Sequence, residues 1–138
     1  MGNYKLIDHT ADIGISVEGK DLEDLFATAA CAMISQMIDL DKIKNKETKK
    51  IELEGADLED LLVRWLNELL FLSDNGYIFK KFNIETLKET SLLASLEGEK
   101  IDFRKIPLKQ QIKAATYHQL EIKKDNSGNW QTTIIFDV

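Results

Sequence analysis

Three short polar stretches carry the side chains able to do chemistry: Asp8-His9-Thr10-Ala11-Asp12, Lys113-Ala114-Ala115-Thr116-Tyr117-His118, and Phe136-Asp137-Val138. They supply carboxylates, imidazoles and one lysine. No HExxH, Walker-type phosphate loop, GxSxG or cysteine cluster accompanies them, so the zinc proteases, P-loop nucleotidases and α/β-hydrolases lose their usual support. Asp12 closes a turn beside a strand, and Asp137 lies in a strand at the other end of the sequence. If those strands are neighbours, the two carboxylates converge. With the carboxylate or main-chain oxygen of Val138 they would form an oxygen-rich pocket suited to a hard cation such as Ca²⁺ or Mg²⁺ rather than to Zn²⁺. The plainer reading of Asp12 is that it caps a backbone amide in the turn. His9 and His118 are candidates for a metal site or for proton transfer near neutral pH. More simply, each donates a hydrogen bond to a backbone carbonyl and fixes a loop. Lys113, read from composition alone, flanks a strand in solvent.

The elements that must position these residues follow from periodicity. Residues 4–7 and 13–17 are rich in β-branched and aromatic side chains, and the second run alternates as a half-buried strand does. After Gly19-Lys20-Asp21, the apolar positions Leu22, Leu25, Phe26, Ala29, Met33 and Met37 recur at three- and four-residue steps, which predicts a helix ending near Asp39. Residues 50–54 alternate as a strand. A second helix runs from Leu58 to about Ser73, with Leu61, Leu62, Trp65, Leu66, Leu69 and Leu72 on one broad face, and Asn75-Gly76 stops it. Both helices start alike: Gly19-Lys20-Asp21-Leu22-Glu23-Asp24-Leu25 and Gly55-Ala56-Asp57-Leu58-Glu59-Asp60-Leu61 differ only at the second position. This fits a duplication, but shared capping chemistry suffices, with Asp at the N-cap and acidic residues at the positive end of the helix dipole. Strands are predicted at 77–86, 91–97, 112–123 and 130–138, the last two as a hairpin around Asp125-Asn126-Ser127-Gly128. Strands and two helices without regular β-α-β alternation predict an α+β fold. The expected form is a two-layer sandwich in which two helices pack on one face of a mainly antiparallel or mixed sheet.

The bulk properties narrow the function classes. A chain of 138 residues fits one domain, spanning 1–138, with one core. With 43% hydrophobic and 30% charged residues and a single proline, disorder is excluded. No apolar run approaches the roughly 20 residues that span a bilayer, and no basic-then-apolar leader is visible, so the expected address is the cytoplasm. Cys31 is the only cysteine, lies opposite the apolar stripe of its helix, and is read as a bystander. The net charge of −6 argues against a protein that grips nucleic acid by itself, because that affinity comes from clustered Lys and Arg on phosphates. Basic clusters at residues 42–50, 80–81 and 104–105 are interleaved with acidic residues and read as surface ion pairs. A protein partner is the better expectation.

The motifs Asp8-His9-Thr10-Ala11-Asp12-Ile13-Gly14, Trp65-Leu66-Asn67-Glu68-Leu69, Lys113-Ala114-Ala115-Thr116-Tyr117-His118 and Phe136-Asp137-Val138 together resemble the archease family, in its order and near its usual length. The resemblance implies an accessory protein, not itself an enzyme, that activates an RtcB-type tRNA-splicing RNA ligase. It would do so by promoting guanylylation of a ligase histidine and multiple turnover, and by broadening nucleotide use. It further implies a divalent metal, Ca²⁺ with Mg²⁺ or Mn²⁺ as alternatives, held by Asp12, Asp137 and Val138, and a role for Lys113 in activation. RNA would be contacted only through the ligase, and no membrane is involved. Two rival readings are a stand-alone metal-dependent hydrolase using Asp12, Asp137 and His118, which needs no partner for turnover, and a chaperone-like binding module, which needs an exposed apolar patch.

Overall fold

The computed structural model describes residues 2–9 and 12–138, with only the backbone at positions 8 and 9. Part of the turn expected at 8–12 therefore lies outside the described residues. In chain order the elements are β1 (Asn3–His9), β2 (Asp12–Gly19), α1 (Leu22–Met37), β3 (Glu47–Glu54), α2 (Leu58–Asp74), β4 (Tyr77–Lys88), β5 (Ser91–Lys100), β6 (Ala114–Ala115), β7 (Lys123–Lys124) and β8 (Trp130–Asp137). A single 3-10 turn, Leu40–Lys42, follows α1. The class is α+β, and among the described residues all strand pairing is antiparallel. What periodicity does not convey is that the strands divide into two sheets, one ordered β1-β2-β8-β6 with β7 also on β8, the other β3-β5-β4.

Both helices start as their sequences require. Asp21 accepts a hydrogen bond from the amide of Asp24 at 2.7 Å, and Asp57 from the amide of Asp60 at 2.8 Å, each satisfying a donor left over by the first helical turn. Helix α1 packs against β2 of one sheet and β4 of the other. That position explains why residues well outside its expected stripe, including Ala30, Ala32 and Ile34, are buried beside Leu25, Phe26, Ala29, Met33 and Met37. Cys31 is only half-buried. Helix α2 buries Leu61, Leu62, Trp65, Leu66 and Leu69. The Trp65 indole N–H donates to the Phe26 carbonyl at 3.0 Å, and its ring meets Phe82 edge-on at 6.3 Å. That tie satisfies the one polar atom of a large buried aromatic. From the sheets, Ile15, Val17, Ile134 and Phe136 and, alternately along β5, Leu92, Ala94 and Leu96 complete the core.

One predicted strand dissolves. Residues 112–123 form two-residue pieces at either end, with a turn between them in which Gln119 adopts a positive φ of 51°. Helix α2 contributes, because the Glu59 carboxylate accepts from the amide of Ile122 at 2.9 Å, a donor that a neighbouring strand would have used, while Asn67 binds Ala115 within the piece that stays paired with β8. The hairpin of β7 with β8 does form, closed by Asp125, which accepts from the amides of Ser127 and Asn129. The basic clusters pair as expected, through Lys46 with Glu99, Lys50 with Glu85, Lys81 with Glu97 and Arg104 with Asp102.

Candidate functional site

Register decides where the sequence candidates go. In the first sheet, His9 of β1 stands opposite Asp12 of β2, Asp12 opposite Asp137 of β8, and Asp137 opposite Ala114 of β6. The four lie on one rung across four strands. Directly opposed residues of an antiparallel pair project on the same face, with Cβ atoms about 4.5–5.5 Å apart. Asp12 and Asp137 are thus brought together as adjacent carboxylates at one end of the sheet, the first half-buried and the second exposed. Two oxygen donors that close suit a hard divalent cation. Among the described residues no three His, Cys, Asp or Glu side chains gather for a metal, so further donors would be main-chain oxygens such as that of Val138, which follows Asp137 and is 39% exposed.

The remaining candidates distribute around this rung. The amide of Lys113 donates to the Asp137 carbonyl at 2.8 Å, which fixes the start of the β6 segment beside the carboxylate pair; its side chain is exposed. The amide and hydroxyl of Thr116 both donate to the Ile135 carbonyl, at 3.0 and 2.8 Å. His118 lies in the turn beyond, exposed, its amide donating to the Thr116 hydroxyl at 3.3 Å. The side chain of His9 lies outside the described residues.

Sequence reasoning missed two groups that hold this end in place. The Asn67 side chain grips Ala115 from both sides, its oxygen accepting the Ala115 amide at 2.8 Å and its nitrogen donating to the Ala115 carbonyl at 3.3 Å. A signal for it existed: Val63, Asn67 and Leu70 fall at helical steps of four and three, and both apolar neighbours are buried, so an amide there needs a partner. The second group is Asp60, which accepts from the Tyr117 hydroxyl at 2.5 Å, from the Ala56 amide at 2.8 Å and from the Arg64 guanidinium at 2.9 Å. These bonds, Tyr117's first, hold the Asp60 carboxyl down at about 2, and the same bond pushes the Tyr117 phenol above its usual range. No sequence signal marks that contact.

With this geometry in view, the comparisons with known proteins are consistent across the chain. Residues 4–138 match the Archease protein family (MTH1598/TM1083). The chain belongs to the archease family. It is 40% identical over 140 residues to the protein archease of Methanosarcina barkeri, covering 98% of this chain and 95% of the relative. It is 37% identical over 142 residues to that of Pyrococcus abyssi, covering 100% of each. Among solved structures, protein 1598 of Methanobacterium thermoautotrophicum superposes with a TM-score of 0.81 at 31% identity, covering 98% of both chains. An archease of Thermotoga maritima, described as a possible chaperone, shares the fold, with a TM-score of 0.67 at 23% identity over 97% of this chain and 96% of that one. Archease membership agrees with the order of the four motifs. Among the described residues no helix is long and apolar enough to cross a membrane.

Proposed function

We propose that this archease activates an RtcB-type tRNA-splicing RNA ligase, promoting guanylylation of the ligase histidine and multiple turnover, and broadening the nucleotide used. The observation that carries the reading is the direct opposition of Asp12 and Asp137, which gives the family resemblance a chemically competent end. Asp12, Asp137 and an oxygen of Val138 would hold Ca²⁺, or Mg²⁺ or Mn²⁺. Such an ion, when bound, orients phosphate oxygens and offsets charge that develops during transfer.

The protein's own residues do the positioning. The cross-strand ladder fixes the spacing of the two carboxylates, and Asn67 and the Lys113 amide tie the β6 segment to that end. Lys113, exposed and joined by its amide to the Asp137 carbonyl, would offer a cation to a triphosphate presented by the ligase. An acidic, metal-bearing end docks at a nucleotide pocket by complementary charge, and the net charge of −6 leaves RNA contacts to the ligase.

The test is a multiple-turnover ligation time course with an RtcB-type ligase, GTP and divalent metal, with and without this protein, beside a calorimetric Ca²⁺ titration. Wild type raises turnover and binds Ca²⁺, Asp12→Ala and Asp137→Ala lose both, and Lys113→Ala loses activation while still binding Ca²⁺. Unchanged ligation with every protein sinks the activator reading, and turnover by this protein with no ligase present favours the hydrolase.

A further inference from the structure

A second surface carries uncompensated charge of a defined kind. An open groove of about 910 Å³ runs between β3 and α2, lined by Glu52 and Glu54 on the strand, by Glu68 and Phe71 on the helix, and closed by Tyr117. Strand β3 pairs with β5 on one side, and among the described residues no strand covers its other edge. An uncovered edge of this kind is a template for an added strand. Two aromatic rings stand over it: Phe71 is 60% exposed and Tyr117 56% exposed, the latter held by its hydroxyl bond to Asp60. Large apolar side chains this exposed on an ordered helix and a pinned turn mark contact surfaces when they cluster.

Charge selects the occupant. Glu52, Glu54 and Glu68 have no ion-pair partner among the described residues, while the one cation in the groove, Arg64, is bonded to Asp60. The basic groove on the same sheet, about 700 Å³ and lined by Lys49, Lys50, Lys80 and Lys81, is more nearly compensated, because Lys50 and Lys81 pair locally with Glu85 and Glu97 and Lys80 donates to the Ile43 carbonyl. RNA is repelled from the acidic groove by its phosphates. A second copy of this chain is a poorer match: of the end strands of its two sheets, β1 offers one lysine offset by an aspartate, and β4 has Lys81 engaged by Glu97 and Lys80 by the Ile43 carbonyl, which leaves Lys88.

We propose that the groove between β3 and α2 receives an extended, Lys/Arg-rich segment of a partner protein, added as a strand on the open edge of β3. Main-chain groups of the segment pair with those of β3, its cations meet Glu52, Glu54 and Glu68, and its apolar or guanidinium groups stack on Phe71 and Tyr117. The proposal stands apart from the ligase reading, since it names the chemistry of the segment and is tested without a ligase.

The probe is a short acetylated peptide alternating arginine with valine, titrated into the isotope-labelled full chain and followed by amide and aromatic-ring shifts. A peptide alternating glutamate with valine and an oligouridine strand serve as controls. The arginine peptide is expected to shift the amides of residues 51–54 and the rings of Phe71 and Tyr117. Its affinity should fall about tenfold on raising salt well past physiological strength, and about tenfold again in a Glu52→Lys, Glu54→Lys double variant. Phe71→Ser should weaken it severalfold with an unchanged melting temperature. The idea is overturned by any of four results: no shifts at roughly millimolar peptide, shifts mapping elsewhere, equal binding of the glutamate peptide or the RNA, or concentration-dependent shifts of the same amides without peptide, which would give the edge to a second copy.

Discussion

The starts of the two helices share six of seven residues and the same cap, yet they do different jobs. At α1 the spare oxygens of Asp24 accept from the amides of Gly2 at 2.9 Å and Lys20 at 3.0 Å, tying the residue just before β1 to the helix. At α2 the equivalent Asp60 accepts from Ala56 but turns its other contacts to Arg64 and Tyr117, tying down a turn that lies 57 residues away. The surroundings diverge in parallel. Helix α1 is enclosed between two sheets, whereas α2 keeps one face open. A local sequence code therefore sets where a helix begins, and the layer it is packed in sets what its first acidic turn is used for.

The contrast is sharpest in a residue of one type. Phe26 of α1 is fully buried and Phe71 of α2 is 60% exposed, so Phe26→Ala should cost about 3–5 kcal/mol in denaturant unfolding, and Phe71→Ala should stay within about 0.5 kcal/mol of wild type. Equal losses would mean the open face of α2 is not open. The glycines that begin the two motifs give a smaller difference. A Cβ on Gly19 would sit 2.5 Å from the backbone nitrogen of Leu25, while one on Gly55 would meet Asp60 and Leu61 at 3.1 Å. Gly19→Ala should therefore cost about 1–3 kcal/mol, and Gly55→Ala measurably less in the same melting experiment; the reverse order would show that α2, not α1, is the tightly seated start.

The smallest effect is in pH dependence and belongs to α2 alone. Because the Asp60 carboxyl is held at about 2 in the folded protein, its contribution to stability is present above the ordinary carboxylate range near 4 and is lost as pH falls through about 2. Tyr117 runs the other way: its phenol is raised by the same bond, so that contribution is present below about 10 and is lost as pH rises through the raised value. In Asp60→Asn, ultraviolet titration should show one tyrosine returning toward its usual value, and wild type should lose its stability advantage at strongly acidic pH. Asp24→Asn should leave the tyrosine titration unchanged.

The helices were legible in sequence because capping residues and apolar spacing are local, and both bounds fall within two residues of expectation. The meeting of Asp12 and Asp137 was legible as a conditional, since both sat at the same end of candidate neighbouring strands; register supplied the condition. The division into two sheets was not, because alternation reports which residues of a strand are buried and not which strand lies beside it. Residues 112–123 read as a strand because their apolar and polar residues alternate, but Glu59 of a distant helix takes the Ile122 amide, and no window along the chain contains both partners. The Tyr117 contact was invisible for the same reason.

The β2–β8 ladder that forms the carboxylate rung is also the longest-range pairing in the molecule's first sheet, with neighbouring ties such as Asn129 to Glu18 spanning 111 residues. Contacts of that separation close late, since the chain must lose the entropy of a large loop before they form. Hairpins such as β4–β5, β1–β2 and β7–β8 and the two helices can be in place earlier, but none of them carries both Asp12 and Asp137. A newly made or partly refolded molecule thus presents the pair of carboxylates only once its first sheet has closed, and any partner that reads that end reads at the same time that the two far-apart segments of the chain have met.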